Sequence, residues 1–174
     1  MTWKARIICK LYASFKYIFG DLCVLDRTDR RLLRALQQNG AMTAQEMGRH
    51  LGLSTSQAVR RRQKLEQTGV LRAVSIDIAP EACGLSVQAF LTLTRSAHDP
   101  ALMDDFKRLL HSTPEIVSAF DVTGSANTIL RVWCSDLDAL RELIDTIILP
   151  HPMVEKLHTE IVMAQIKPDS ALPL

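Results

Sequence analysis

TAQEMGRHLGLSTSQAVRRRQKLEQTGVL, residues Thr43 to Leu71, is the stretch that decides how this chain folds. Thr43 stands three residues before Glu46, and Ser54 stands three before Gln57. Each pair gives the orphan N–H groups of a helix start a side-chain acceptor and a reciprocal partner. The spacing therefore predicts two short helices. Gly52 and Gly69 end them, because glycine takes the left-handed terminal conformation at little cost. At 100° per residue, Ala58, Arg62 and Leu65 share the core side of the second helix with Val59 flanking, while Gln57, Arg60, Arg61 and Lys64 share a polar arc. This is the pattern of a helix-turn-helix, whose second helix enters the DNA major groove. Arginine forks and a glutamine amide match guanine and adenine edges, and further cations neutralise phosphates. The expected DNA contacts are Ser54, Thr55, Ser56, Gln57, Arg60, Arg61 and Lys64. A charge run is more often a solvated face, but two capping boxes around a glycine turn weigh against that reading. Arg62, on the core side, is expected to be structural and paired with an acid such as Asp29.

Working outward, Asp26 to Gln38 reads as a preceding helix that buries Leu32, Leu33 and Leu36 under the helix-turn-helix. Val70 to Ile78 alternates enough for a short strand or wing, and Ala79 to Gly84 punctuates the chain as a linker. The whole chain of 174 residues carries a net charge of only +2, but the charge is unevenly placed. Residues 1–24 sum to +3, residues 25–80 to +5 and residues 81–174 to −6. A basic front and an acidic back argue for two domains, of which only the first meets phosphate. The four cysteines, Cys9, Cys23, Cys83 and Cys134, form no ligand spacing, so no metal or other cofactor is expected and the thiols read as free in a reducing cytoplasm.

Beyond the linker the period switches repeatedly. Strands are expected over 86–95, 116–123, 127–134 and 155–166, with helices over about 100–111 (burying Leu102, Phe106, Leu109 and Leu110) and 136–148 (burying Leu137, Leu140, Ile144 and Ile147). The order is βαββαβ, a ferredoxin-like sheet with both helices on one face. Phe90 beside Leu91 and Trp133 beside Val132 make strands apolar on both faces, so the open face is expected to meet another subunit. The fold class is thus α+β, an N-terminal winged helix-turn-helix over 25–79, a linker over 80–85, a ferredoxin-like domain over 86–167 and a tail over 168–174. Residues 1–24 form a basic, apolar extension with no run long enough to span a membrane. It fits an added docking helix, a membrane-surface helix, or a translation start assigned too far upstream, the last or a poorly packed extension being preferred.

LDRTDRRLLRALQQNG, LGLSTSQAVRRRQKLEQTGVL, Pro80 with Gly84, VTGSANTILRVWCSDLDAL and VEKLHTEIVMAQIK, in that order, resemble the Lrp/AsnC (feast/famine) family of transcription factors over about Leu25 to Lys167. The resemblance implies a cytoplasmic regulator that binds double-stranded DNA, forms homodimers that can assemble into octamers, and takes an amino-acid effector near the turn Gly124-Ser125-Ala126-Asn127. That turn offers backbone N–H groups to a carboxylate and the Asn127 amide as an acceptor for an amine; an ordinary hairpin turn explains the same residues. Three positions depart from the family pattern: Asn127 where an acid is common, Gln63 where an apolar residue is usual, and Gly48 at a usual alanine position.

Two other functions fit the same architecture. Siroheme decarboxylases share it, but such an enzyme needs histidines or arginines lining a cleft, and His50, His98, His111, His151 and His158 are scattered. An effector-independent architectural DNA-binding protein would keep the basic helix and lose the ligand. The clustered cations favour the regulator.

Overall fold

The computed structural model describes residues 25–72, 76–95, 100–124 and 126–174, which form two compact units. The extension over 1–24 lies outside the described residues. The first unit holds three helices: α1 (Arg27–Gln38), α2 (Ala44–Leu51) and α3 (Thr55–Gln67). Each starts at a capping box, Asp26 with Asp29, Thr43 with Glu46 and Ser54 with Gln57. Gly52 takes the left-handed conformation, φ 71°, that turns the chain from α2 into α3. Leu32, Leu33 and Leu36 of α1, Met47 and Leu51 of α2, and Ala58 and Leu65 of α3 make one core. Gly48 explains itself here. A Cβ on it would lie 2.9 Å from the Leu53 carbonyl oxygen, so the roughly 1 kcal/mol that glycine costs a helix is offset by a close approach no side chain permits. Residues 73–75 of the expected wing lie outside the described residues, and the flanking residues 70–72 and 76–79 form no strand.

The second unit opens with a short 3-10 turn (Pro80–Cys83) closed by left-handed Gly84. It continues as β1 (Val87–Arg95), α4 (Pro100–Ser112), β2 (Ile116–Asp121), β3 (Thr128–Cys134), α5 (Leu137–Glu142, prolonged by a π-helical turn Leu143–Ile148) and β4 (Val154–Ile161). The sheet order is β2-β3-β1-β4 with every neighbouring pair antiparallel. Ala89, Leu91 and Leu93 of β1 and Leu130, Val132 and Cys134 of β3 point to one face, where Phe106, Leu140, Leu143 and Ile148 cover them. The other face carries Phe90, Ile129 and Phe120, with Phe120 56% exposed.

The strand and helix ends differ from the sequence expectations for reasons of pairing. β4 stops at Ile161 instead of 166 because β1 begins at Val87: the Val162 N–H still reaches the Gln88 carbonyl, and beyond it there is no strand left to bond. β2 stops at Asp121, opposite Thr128, where β3 starts. In α5 Leu140, Leu143 and Ile148 are buried, the expected Ile144 and Ile147 pack part-buried against the same core, and of the expected set Leu137 is the departure, 59% exposed. The π turn inserts an extra residue, so positions five apart, Leu143 and Ile148, fall on the same side.

Candidate nucleic-acid interface

The start of α3 is rigidly built. The Gln57 N–H donates to the Ser54 hydroxyl at 3.3 Å, the Ser54 N–H donates to Gln57 Oε1 at 3.0 Å, and Ser54 and Ser56 share a hydroxyl hydrogen bond at 3.1 Å. Gln57 is therefore half committed to the cap, with only its amide nitrogen left to meet a base. Thr55, Ser56, Arg60 and Lys64 are exposed, and Gln63 and Gln67 line the same outer surface as Arg60 and Lys64. Gln67 is what the sequence reading missed. Gln63, already singled out as a departure from the family pattern, sits on the wheel about 160° from Leu65 and so faces fully outward.

Arg61 differs from its neighbours in being engaged within the unit: its Nη1 donates to Asp26 Oδ2 and to Asp29 Oδ1, each at 2.6 Å, while its side chain still lines the surface shared by Gln57, Arg60, Gln63 and Lys64. Only four positions before Leu65, it lies about 40° from the core line, close enough to lean onto α1. The Asp29 side chain is 3% exposed and the Arg61 side chain 33%. The expected partnership of Arg62 with Asp29 is likewise replaced, since Arg62 Nε pairs with Glu66 on its own helix at 2.9 Å. The Asp29 N–H, and after it Arg61, hold the Asp26 carboxyl below its ordinary pKa. The Thr43 N–H and then the Thr43 hydroxyl do the same for Glu46. Arg31 donates to the His50 carbonyl at 2.9 Å, closing the end of α2. The outward surface that remains is a short strip of amides, hydroxyls and two cations, Arg60 and Lys64.

In the second unit, Gly124 lies on the exposed turn between β2 and β3 with φ 129°, Ala126 is half-buried, and Ser125 is outside the described residues. Asn127 is not the open acceptor the sequence reading made it. Its Oδ1 accepts the Arg95 N–H at 2.8 Å, its own N–H donates to the Leu93 carbonyl at 2.9 Å, and its carbonyl accepts the Val122 N–H at 3.0 Å. The residue ties the end of β1 to the start of β3, its Oδ1 already holds one hydrogen bond, and its Nδ2 donor pair makes no hydrogen bond among the described residues. Beside it Arg95 meets Asp121 at 3.3 Å, and Thr128 donates to the same carboxylate at 3.2 Å.

With this geometry in place, comparison with known proteins is specific. Residues 25–66 match the AsnC-type helix-turn-helix domain, and residues 88–172 match the Lrp/AsnC ligand binding domain. The chain belongs to the Lrp/AsnC family. It is a transcriptional regulator that joins a DNA-binding helix-turn-helix to a ligand-binding domain. It is 27% identical to the leucine-responsive regulatory protein of Escherichia coli K12 over 148 residues, 85% of this chain and 90% of that one. A Neisseria meningitidis transcriptional regulator solved as an L-Met complex is 30% identical, with a TM-score of 0.80 over 86% of this chain and 97% of that one. An AsnC family regulator from Agrobacterium tumefaciens is 28% identical, with a TM-score of 0.78 and the same coverage. Among the described residues of this regulator no helix is long and apolar enough to cross a membrane.

Proposed function

We propose that this regulator reads one specific duplex through Thr55, Ser56, Arg60 and Lys64, with Gln63 and the Gln57 amide nitrogen as amide contacts, and that it works without catalysing a reaction. The carrying observation is the division of the cations of α3: Arg61 and Arg62 are spent on carboxylates, whereas Arg60 and Lys64 stand on the outward strip. Ser54 serves as the cap that aims the helix. Mapping of bound sites across the native genome tests this reading: a shared sequence element is expected, and uniform, sequence-independent occupancy would overturn it in favour of architectural binding.

The working unit is a homodimer joined through the open sheet face, because Phe90, Phe120 and Ile129 would otherwise remain in water on an antiparallel sheet covered on one side only. Light scattering on the full chain at micromolar concentration is expected to give at least twice the chain mass. Phe120→Asp, which places a charge on that face, is expected to shift the mass toward the monomer; an unchanged parent-like mass would remove this face from the interface.

The effector is a neutral amino acid held at the turn Gly124-Ser125-Ala126-Asn127, in keeping with the L-Met complex of the Neisseria relative. The engagement of Asn127 reverses one expectation. With Oδ1 given to the Arg95 N–H, the Nδ2 group faces a ligand as a donor and suits the carboxylate of an amino acid, not its ammonium. Asn127→Asp is therefore expected to weaken amino-acid binding by like-charge repulsion, where a bare reading of the sequence expects it to tighten. Calorimetry against the twenty amino acids decides it: tighter binding by Asn127→Asp would place the ammonium there, and no heat from either protein would remove the effector.

A further inference from the structure

The tail expected over 168–174 is no loose end, since Asp169–Leu174 belongs to the DNA-binding unit. The Leu172 N–H donates to Gln37 Oε1 at 2.6 Å and Gln37 Nε2 donates back to the Leu172 carbonyl at 3.4 Å. A single side-chain amide thus grips both backbone groups of one residue, the way a neighbouring strand would. Arg34 Nε donates to the Leu174 carbonyl oxygen, and the Leu174 side chain packs against the three-helix core from a groove lined by Leu33, Leu36, Val70 and Leu71. Leu172 itself is 70% exposed, so Leu174 is the anchor and Leu172 is held by its backbone. Pro173 between them fixes its own φ and biases Leu172 to extended backbone, which lowers the entropy lost on docking.

We propose that the groove along α1 is a receptor for the extended Leu172-Pro173-Leu174 segment, and that its occupation gives the DNA-binding unit a second tether to the ligand-binding domain. The first tether is the chain leading into the 3-10 turn at Pro80. The second is residues 162–171, which leave the end of β4 and reach the docked segment. Ten residues span at most about 36 Å, so the docked segment sets an upper limit on how far α1 can move from the end of β4. Binding within one chain operates at an effective concentration on the order of millimolar, so a groove of one leucine anchor and three hydrogen bonds suffices. A displacement of β4 is then delivered to α1 and, through Arg61 and its two carboxylates, to α3.

The test uses the full chain. In the parent protein the Leu172 amide is expected to exchange with solvent at least about 10-fold more slowly than an unstructured amide. Gln37→Ala, at an exposed helix position where alanine is the best helix former, should return Leu172 to the unstructured rate while the amides of α1 and β1 keep theirs. In Leu174→Asp the same release should be joined by independent tumbling of the two units in nitrogen relaxation, against concerted tumbling in the parent. Should Leu174→Asp fail to fold, relaxation of Gln37→Ala gives the second reading. Unprotected Leu172 in the parent, or protection that survives Gln37→Ala, would overturn the receptor. Two units that tumble independently already in the parent would overturn the tether.

Discussion

Arg61→Ala is expected to lower the unfolding midpoint of the DNA-binding unit by on the order of 10 °C, whereas Arg60→Ala, one residue away, leaves it in place. Removing Arg61 strands the Asp29 carboxylate, which is buried in the first turn of α1 and meets the guanidinium at 2.6 Å. Stranding a fully buried ion costs about 3–5 kcal/mol; with a guanidinium one-third exposed, roughly 2–3 kcal/mol is the fitting figure. Asp29 keeps one hydrogen bond from the Asp26 N–H, which softens the loss without removing it. The effect has a pH signature. Asp26 and Glu46 are held below the ordinary carboxylate range when folded, so the stability they contribute is complete above that range and is lost as pH falls through the folded values. Acid should therefore loosen the starts of α1 and α2 before that of α3, whose Ser54–Gln57 box contains no titrating group. Thermal melts of parent, Arg61→Ala and Arg60→Ala between neutral and acid pH measure this. Equal midpoints for the two variants at neutral pH would return Arg61 to the outward cations.

The double variant Arg60→Ala/Lys64→Ala is expected to lose operator affinity by about 100-fold or more while melting like the parent. A base-reading side chain contributes about 1–3 kcal/mol and relaxes specificity at its position when removed. A phosphate contact instead weakens binding to all sequences alike and reduces the slope of log affinity against log salt by about 1. Both side chains are exposed, so their loss disturbs no buried group. Fluorescence anisotropy at several salt concentrations, on operator and on scrambled duplex, separates the two roles for each single variant. A double variant that bound its operator as tightly as the parent would end the DNA role of this strip.

Much of this was legible in the sequence because it is local. Capping boxes span three residues and glycine turns one, so the starts of α2 and α3 and the turn at Gly52 follow from spacing alone. The βαββαβ order also follows, because each element carries its own period. What failed depends on a partner elsewhere in the chain. Helical angle places Arg61 and Arg62 near the core line but does not say which of them reaches Asp29, a residue 32 positions away. The ends of β2 and β4 are set by where β1 and β3 start, and the buried face of α5 by a π turn that no period of 3.6 anticipates. Asn127 shows the same limit, since its type fits a turn, a ligand contact and a strand tie equally, and it takes the 2.8 Å bond to the Arg95 N–H to reveal the strand tie.

The register of β1 also sets a timetable for the growing chain. β1 is an inner strand, and one of its two neighbours is β4, so that Thr92 meets Glu160 at a sequence separation of 68. The buried core of the three helices, by contrast, is made by residues between Leu32 and Leu65, with Leu174 added to it from outside, and needs little chain to form. During synthesis they can be complete while β1 still waits with one edge open, an aggregation-prone interval that lasts until the last strand has been made. Slower emergence of residues 154–161 would lengthen that interval, and the yield of correctly assembled regulator would fall with it even though no residue of the finished protein had changed.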